Sequence, residues 1–551
     1  MRTDISGWAT RLNHEDIARH TASGAWRNVT LADCAARIAQ HAPERIAVVE
    51  GERTLNFRQI LGEARQLAAA LRGAGLQPGD VVSFQLPNWA ETMVINLAAC
   101  LAGLVVNPIV PIYRDAEVRY ILRDARSRLF FVPQTFRGFD YAQMTQRLLP
   151  TLPMLRKVVV VRGRAEGCDS YIDLLNRGRS SEPPRERTDP NAVKLLLYTS
   201  GTTGSAKGVL HSHNTIMSEI DAVIGFWGIN DHDVVLMPSP VTHITGYLYA
   251  LEIAFAAGIK AVFMERWNAA DAVELVARHK VTFSVGATPF LKELVAEVEA
   301  RPVVGTQQAA LSSLRLFMSG GAPVPPELIA RANQVLPGCM AFRVYGSSEA
   351  PTVTLGIRSR AQAHLGATTD GKIVNHEVRL IDPDSGTPIE GEGDGEICSR
   401  GPEVMLGYTD WQQTQASFDP DGHFHTGDLG HLVNGDYLCV SGRRKDLIIR
   451  GGENISPKEI EDVLHTHPAI KEAAVVAMPH ERLGEGVCAF VVAHPGDSVD
   501  VASVALWLEQ AGLAKQKFPE RVELVEDLPR TASGKVQKNL LRERIAAQLR
   551  A

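Results

Sequence analysis

The 551-residue sequence contains no run of about 20 consecutive apolar residues, the length a bilayer-crossing helix requires. The nearest approach, residues 93–106, holds Asn96 and runs into Asn107-Pro108. It is expected to form a buried helix, a break at Gly103 and a strand over residues 104–106. Excess positive charge is also missing: the formal net charge is −6. No broad basic field is available for nucleic acid, so a polyanionic substrate must be met by local donors. Cysteine is sparse, and its odd number excludes a fully paired disulfide framework. The seven residues (Cys34, Cys100, Cys168, Cys339, Cys398, Cys439, Cys488) have no metal-site spacing. They fit a reducing compartment, with the thiols acting as small apolar groups. Met1-Arg2-Thr3-Asp4 begins no apolar signal segment, and a cytoplasmic location is expected. Internal repeats and long low-complexity tracts are absent. What remains is an ordinary globular composition, 45% hydrophobic, in a chain long enough for about two to four structural units.

One more absence is informative. The Gly-Lys-Ser/Thr of the common P-loop does not occur at the most phosphate-like stretch. That stretch is Leu197-Tyr198-Thr199-Ser200-Gly201-Thr202-Thr203-Gly204-Ser205-Ala206-Lys207-Gly208-Val209. An apolar run, residues 193–197, leads into it and reads as a buried strand. Its glycines let backbone N–H groups face an anion closely, and its hydroxyls add donors. The loop fits a polyphosphate; a plain Ser/Gly surface loop is the alternative.

Five further segments carry chemistry. Ser319-Gly320-Gly321-Ala322-Pro323 closes a strand, and its glycines allow a flat ring to lie on the backbone; a simple turn has the same composition. Tyr345-Gly346-Ser347-Ser348-Glu349 offers an aromatic face, a close backbone approach, hydroxyls and a hard carboxylate suited to Mg²⁺. Thr426-Gly427-Asp428 offers a carboxylate that can accept from both ribose hydroxyls, or an Asp in a turn. Ser441-Gly442-Arg443-Arg444-Lys445-Asp446 lies where composition changes, and by itself reads equally as a solvated turn. Near the end, Pro529-Arg530-Thr531-Ala532-Ser533-Gly534-Lys535-Val536 places a lysine on a tight loop, able to deliver a point charge.

In kind and in order these segments resemble the adenylate-forming superfamily of acyl-CoA synthetases, peptide-synthetase adenylation domains and firefly-type luciferases. The resemblance spans roughly residues 30 to 545. It implies ATP binding by Thr199, Ser200, Gly201, Thr202, Thr203, Gly204, Lys207, Gly320, Gly321, Ala322, Tyr345, Gly346, Ser347, Ser348, Asp428 and Arg443. It implies Mg²⁺ at Glu349, catalysis by Lys535 with Glu349 and His243, a hinge pivot at Lys445, and passage of coenzyme A beside Gly451 and Gly452. His243, Gly246, Gly320 and Gly346 would line the acyl site; His243 read alone is equally a core histidine. Relatives often carry Asn or Asp two residues before the tyrosine, where this chain has Arg343.

The implied activity is a two-step carboxylic acid–CoA ligase that uses ATP, Mg²⁺ and coenzyme A. It forms an acyl-adenylate plus pyrophosphate, then acyl-CoA plus AMP. The wording around residues 136–141 and 450–459 looks most like ligases for cyclohexanecarboxylate, other cyclic acids and short or medium-chain acids. An adenylation enzyme that loads a carrier protein shares every motif, and a non-catalytic nucleotide-binding protein is a further class. The expected partners are the acid and CoA, with no nucleic acid and no membrane span, in a monomer or homodimer.

The expected fold is α/β. Strand–helix alternation over residues 46–132 and again over 234–285 argues for parallel, doubly covered sheets. A β-rich portion follows over residues 374–440. The C-terminal hundred residues read as a small α+β unit, with Ser456 capping a helix that has Pro457 in its first turn. The expected organisation is 1–441 for ATP and acyl binding, 442–446 as hinge and 447–551 as a mobile domain carrying Lys535.

Overall fold

The computed structural model describes residues 2–184, 187–199, 206–300, 311–336, 338–389, 391, 393–451, 453–531 and 534–550. Among these the chain builds two large α/β sheets, a small antiparallel sheet and a separate C-terminal α+β unit. Ser200 to Gly204 and Gly452, expected to bind phosphate and coenzyme A, lie outside the described residues.

The first large sheet runs in the order Asp169–Ser170, Lys157–Val161, Leu129–Pro133, Val81–Phe84, Val105–Pro108, Val193–Thr199, Lys207–Ser212, Gly407–Tyr408. It is parallel as far as Val193–Thr199 and antiparallel beyond. Val81–Phe84, Val105–Pro108 and Leu129–Pro133 are thus parallel as expected, and the antiparallel end is added by strands outside residues 46–132. Thr199 pairs with Lys207 across an antiparallel ladder, so the two ends of the phosphate-loop segment are held side by side.

The second large sheet has the order Met340–Arg343, Leu316–Ser319, Phe283–Gly286, Val234–Met237, Lys260–Phe263, Ile46–Glu50, Arg53–Asn56. Its first six strands are parallel, and Arg53–Asn56 closes a hairpin. Ile46–Glu50 belongs here, between Lys260–Phe263 and Arg53–Asn56, and not with Val81–Phe84, Val105–Pro108 and Leu129–Pro133 of the first sheet. Local periodicity identifies a strand without naming its distant partner.

Helices Phe57–Gly73, Ala90–Ala102 and His213–Trp227 share one hydrophobic cluster with inward residues of both sheets. Ala90–Ala102 is buried on nearly every face, which explains an apolar stretch too short to span a membrane. Gly103 ends it in the left-handed region at φ 69°, and Val105–Pro108 follows. No helix among the described residues is long and apolar enough to cross a membrane. Residues 176–178 complete the helix Tyr171–Gly178. Gly178 packs on the Gln66 backbone, where an added Cβ would lie 1.9 Å from a carbonyl oxygen.

A four-stranded antiparallel sheet follows, ordered Glu377–Ile381, Gly395–Arg400, Phe424–Val433, Tyr437–Arg443. The C-terminal unit pairs Ile470–His480 with Gly484–Ala493 at its centre, and helices Pro457–Leu464 and Lys538–Arg550 pack against Ile470–His480. Ser456 precedes the first of these helices, but its hydroxyl does not cap it. It donates to Ser441 O at 2.5 Å, tying this helix start to the preceding sheet.

Candidate active site

The expected site residues come from strand ends and turns that converge between the large sheets, the small sheet and the C-terminal unit. Gly320 follows Leu316–Ser319, and Tyr345 follows the neighbouring parallel strand Met340–Arg343. These segments pass so closely that a Cβ on Gly320 would lie 2.4 Å from Val344 O, and one on Gly346 1.9 Å from Pro351 O. Only glycine fits, which explains the spacing by packing and leaves flat backbone beside the Tyr345 ring. Gly321 adopts φ 79°. Ser347 Oγ accepts from the amides of Glu349 and Ala350, both at 3.2 Å, and fixes the turn that presents the carboxylate.

Asp428 stands on Phe424–Val433, 5% exposed. Its two oxygens accept from Tyr345 Oη and from Arg443 Nε, each at 2.7 Å. Arg443 lies opposite Asp428 on the adjacent strand. Burial, then the Asp428 charge, pushes the Tyr345 phenol well up, so it stays a donor. Three residues far apart in sequence thus form one hydrogen-bonded group.

Arg343 does not reach toward a ligand. It is 1% exposed, its Nε and Nη2 lie 3.0 and 2.6 Å from one oxygen of Asp370, and its Nη1 donates to Ala367 O at 3.1 Å. The other oxygen of Asp370 accepts from Val440 N at 2.8 Å. The departure at this position builds a buried ion pair that ties the second large sheet to the small one.

Lys535 arrives from the C-terminal unit on a turn with Gly534 at φ 85°. Its N–H donates to Thr531 Oγ1 at 3.1 Å. Burial, then the nearby Arg443, pulls its pKa down, while Asp428 and Glu349 oppose that shift. The Lys535 charge also acts on His243: burial first, and then that charge, pushes the imidazole down to about 4, so His243 is neutral near pH 7. A Cβ on Gly246 would lie 2.2 Å from Pro240 O, so Gly246 holds the His243 segment against the turn before it. A helix begins at Ile244–Gly246, directly after His243, and runs through a π-helical turn, Tyr247–Glu252, before Ile253–Ala257. Such turns recur at functional sites.

Lys445 lies in the short turn Arg444–Asp446, and Asp446 accepts from Arg542 Nη1 of the last helix at 2.9 Å. Gly451 takes φ 61° on the neighbouring turn, with its N–H on Leu483 O at 2.9 Å. Neither residue touches the Asp428 group through a hydrogen bond of the described residues.

Three features escaped the sequence reading. Tyr408 donates to Glu349 Oε1 at 3.0 Å, and burial, then that carboxylate, pushes its phenol up. Asp124 Oδ2 accepts from Tyr198 Oη at 2.6 Å and Thr409 Oγ1 at 3.0 Å beside the phosphate-loop strands. Beneath the site, Glu219 is 1% exposed and accepts from Tyr249 Oη at 2.9 Å and from the Thr352 hydroxyl. Burial pushes Glu219 up to about 7, against those hydrogen bonds. These residues stand alone in their own segments, with no spacing to mark them.

The donor set fits a magnesium ion. Among the described residues no three His, Cys, Asp or Glu side chains gather as an all-protein cage. Mg²⁺ binds through one or two carboxylates plus substrate phosphates and water. Glu349, with one oxygen taken by Tyr408, is a single hard carboxylate of this kind.

The sequence profile of AMP-binding enzymes matches residues 35–409, and that of the AMP-binding enzyme C-terminal domain matches residues 459–535. The medium-chain fatty-acid–CoA ligase of Escherichia coli (strain K12) is 34% identical over 543 residues, 98% of this chain and 94% of that one. The vibriobactin-specific 2,3-dihydroxybenzoate-AMP ligase of Vibrio cholerae is 31% identical over 99% of this chain and 98% of its own. The ATP-bound structure of MatB from Rhodopseudomonas palustris superposes with a TM-score of 0.82 at 28% identity, covering 94% of this chain and 99% of that one.

Proposed function

Because the chain belongs to the family of AMP-binding enzymes, among whose members are AMP-forming acid–CoA ligases, we propose that it joins a carboxylic acid to coenzyme A in two half-reactions. The observation that carries this reading is the position of Lys535. A lysine on the C-terminal unit is electrostatically coupled to Asp428, Arg443 and Glu349 of the preceding sheets and to His243. A cation brought there from a separate unit suits the first half-reaction, in which two anions must meet.

In that step the acid's carboxylate attacks the α-phosphate of ATP and pyrophosphate leaves. Lys535 pairs with the incoming carboxylate and with charge developing on the phosphate. Asp428, already oriented by Arg443 and Tyr345, accepts from the ribose hydroxyls. Gly320, Gly321, Ala322 and Gly346 provide the backbone against which the base lies. Thr199 and Lys207 flank the phosphate loop, with the lysine supplying a positive charge. Glu349 would hold Mg²⁺, which when bound neutralises charge on the phosphates. Neutral His243 and Gly246 border the acyl group.

In the second step a thiolate attacks the mixed anhydride and AMP leaves. Free thiols have a pKa near about 8.5, so a small thiolate fraction exists at neutral pH and no enzymic nucleophile is needed. We read residues 1–441 as the ATP- and acyl-binding part, 442–446 as the hinge and 447–551 as the moving part. Rotation about Lys445 would withdraw Lys535 and bring in the face at Gly451.

The acid is placed in the cyclic or short-to-medium-chain class, supported by the segment wording and by the name of the Escherichia coli relative. Transfer to a carrier protein is the second reading, favoured by the long match to an AMP ligase named for an aryl acid. A panel of aliphatic, alicyclic and aromatic acids, read by ATP–pyrophosphate exchange without thiol, tests the first step. Repeating it with CoA and with a phosphopantetheinylated carrier separates the two acceptors. No acid-dependent exchange across the panel overturns the adenylation reading.

A further inference from the structure

Glu349 carries the only metal assignment in the proposed site, yet what orients its carboxylate lies outside every motif read from the sequence. The Tyr408 hydroxyl donates to Glu349 Oε1 at 3.0 Å. Tyr408 is 4% exposed and is held from several sides. Its strand pairs with Lys207–Ser212, with Tyr408 opposite Val209 and Gly407 opposite Leu210. Its own N–H donates to Thr414 Oγ1 at 2.8 Å. The next residue, Thr409, donates its N–H to Gly208 O at 2.8 Å, an approach that needs glycine: a Cβ on Gly208 would lie 2.7 Å from Thr409 Cγ2. Three residues earlier, Met405 N–H donates to Glu349 O at 2.8 Å. The segment from Met405 to Thr409 therefore grips the Glu349 turn with one end and the strand leaving the phosphate loop with the other. Between them, Lys207 Nζ stands 5.0 Å from the centre of the Tyr408 ring.

We propose that Tyr408 is a positioning residue for the metal carboxylate: its hydroxyl fixes one oxygen of Glu349 so that the other is aimed at the cation, and its ring seats Lys207 in register with it. This rests on the reading of the nucleotide site given above. A buried hydroxyl donating to a carboxylate locks that carboxylate's rotation, and such charge-assisted bonds are roughly twice as strong as neutral ones. A cation within about 6 Å of an aromatic face is attracted to it. Tyr408 thus links the two groups that must meet the same triphosphate, one through the metal and one directly.

The bland alternative is that Tyr408 only fills space among Val209, Ala350 and Val353. Tyr408→Phe separates the two, because it keeps the ring and removes only the hydroxyl. The primary readout is Mn²⁺ binding to the full chain in the presence of a non-hydrolysable ATP analogue, followed by electron paramagnetic resonance. Tyr408→Phe should weaken Mn²⁺ binding about tenfold, in line with the loss of one hydrogen bond to a charged group. Its thermal midpoint and its KM for the acid should stay within error of wild type, while the Mg²⁺ concentration for half-maximal exchange rises by a similar factor. In a Glu349→Gln background the same substitution should change Mn²⁺ binding by less than twofold, since the carboxylate it positions is gone. Tyr408→Leu should also raise the KM for ATP, through loss of the seat for Lys207. A Tyr408→Phe protein that binds Mn²⁺ within twofold of a wild type that does bind it overturns the inference alone. An equal loss in the Glu349→Gln background does the same. Wild type that binds no Mn²⁺–nucleotide overturns the nucleotide-site reading and this inference with it.

Discussion

Two parts of this molecule bury carboxylates and treat them differently. Where the second large sheet meets the small one, two buried carboxylates each face a cation. Asp428 faces Arg443, and Asp370 faces Arg343. Around the helix His213–Trp227, Glu219 is met by the hydroxyls of Tyr249 and Thr352, and Glu403 by Ser218, Asn375 and His376. Burial pushes Glu403 well up and His376 down to about 4, each toward its neutral form. The first arrangement keeps charge available where a polyanion must be handled. The second keeps charge out of the interior. The difference lies in the partners, since Asp370, Asp428, Glu219 and Glu403 are all largely buried.

The largest effect comes from removing a cation where its partner is most enclosed. Arg343→Met leaves Asp370 buried without its partner, and breaking such a pair typically costs about 3–5 kcal/mol. The variant should lose much of its thermal stability. Whatever remains folded should keep the wild-type KM for ATP, because Arg343 hydrogen-bonds Asp370 and Ala367. Thermal melting beside ATP-dependent exchange at low temperature checks both halves. A stable variant with a raised KM would make Arg343 a nucleotide contact and undo the distinction drawn here.

Next is Lys535, a cation supplied from outside the sheets. Lys535→Ala should slow adenylation by about 10²–10³, roughly 3–4 kcal/mol, as for loss of one preorganised donor. The same protein should still turn a supplied acyl-adenylate plus CoA into thioester at a large fraction of the wild-type rate. The comparison is sharpened if the two rates separate. If both collapse in a folded protein, Lys535 serves the site as a whole and the proposed domain alternation fails.

How much of this was legible beforehand follows the same division. Helices Leu31–His41, Phe57–Gly73 and Ala269–His279 stand where apolar spacing puts them, since period 3.6 is a local property. Asp428, Tyr345 and Glu349 were singled out because ligand-facing charge comes in short polar runs broken by glycine. What could not be read depends on distant partners. Ile46–Glu50 takes as its parallel neighbour Lys260–Phe263, which begins more than 200 residues later. Ser456 gives its hydroxyl to Ser441 and leaves its helix uncapped by a side chain. Tyr408 is a single tyrosine whose meaning comes from residues 59 and about 200 positions away. Glu219 sits mid-helix in His213–Trp227, where a glutamate reads as a solvated position and the structure buries it.

Glu219 also provides the smallest and most diagnostic effect. Its native carboxyl titrates at about 7 against an ordinary 4.5, and burial is the main cause. Native protein therefore holds this proton between those values while the unfolded chain releases it. By linkage, stability falls as pH rises through that window: the cost is absent below about 4.5 and fully present above about 7. Glu219→Gln keeps an acceptor for Tyr249 and Thr352 and carries no charge at any pH. The groups that face Glu219 leave this sign unchanged. Burial pushes Tyr249 well above its ordinary value, burial and then Glu219 itself raise Glu403, and burial lowers His376, so each is shifted toward its neutral form. The variant should be close to wild type near pH 5 and gain on it steadily to pH 8, by an amount on the order of 1–3 kcal/mol. Melting curves of both proteins across that range measure it. A difference that is flat with pH, or that grows toward acid, would mean that Glu219 stays ionised in the core. The helix His213–Trp227 would then hold its carboxylate as the junction of the second large sheet and the small one does, and the contrast between the two regions would be lost.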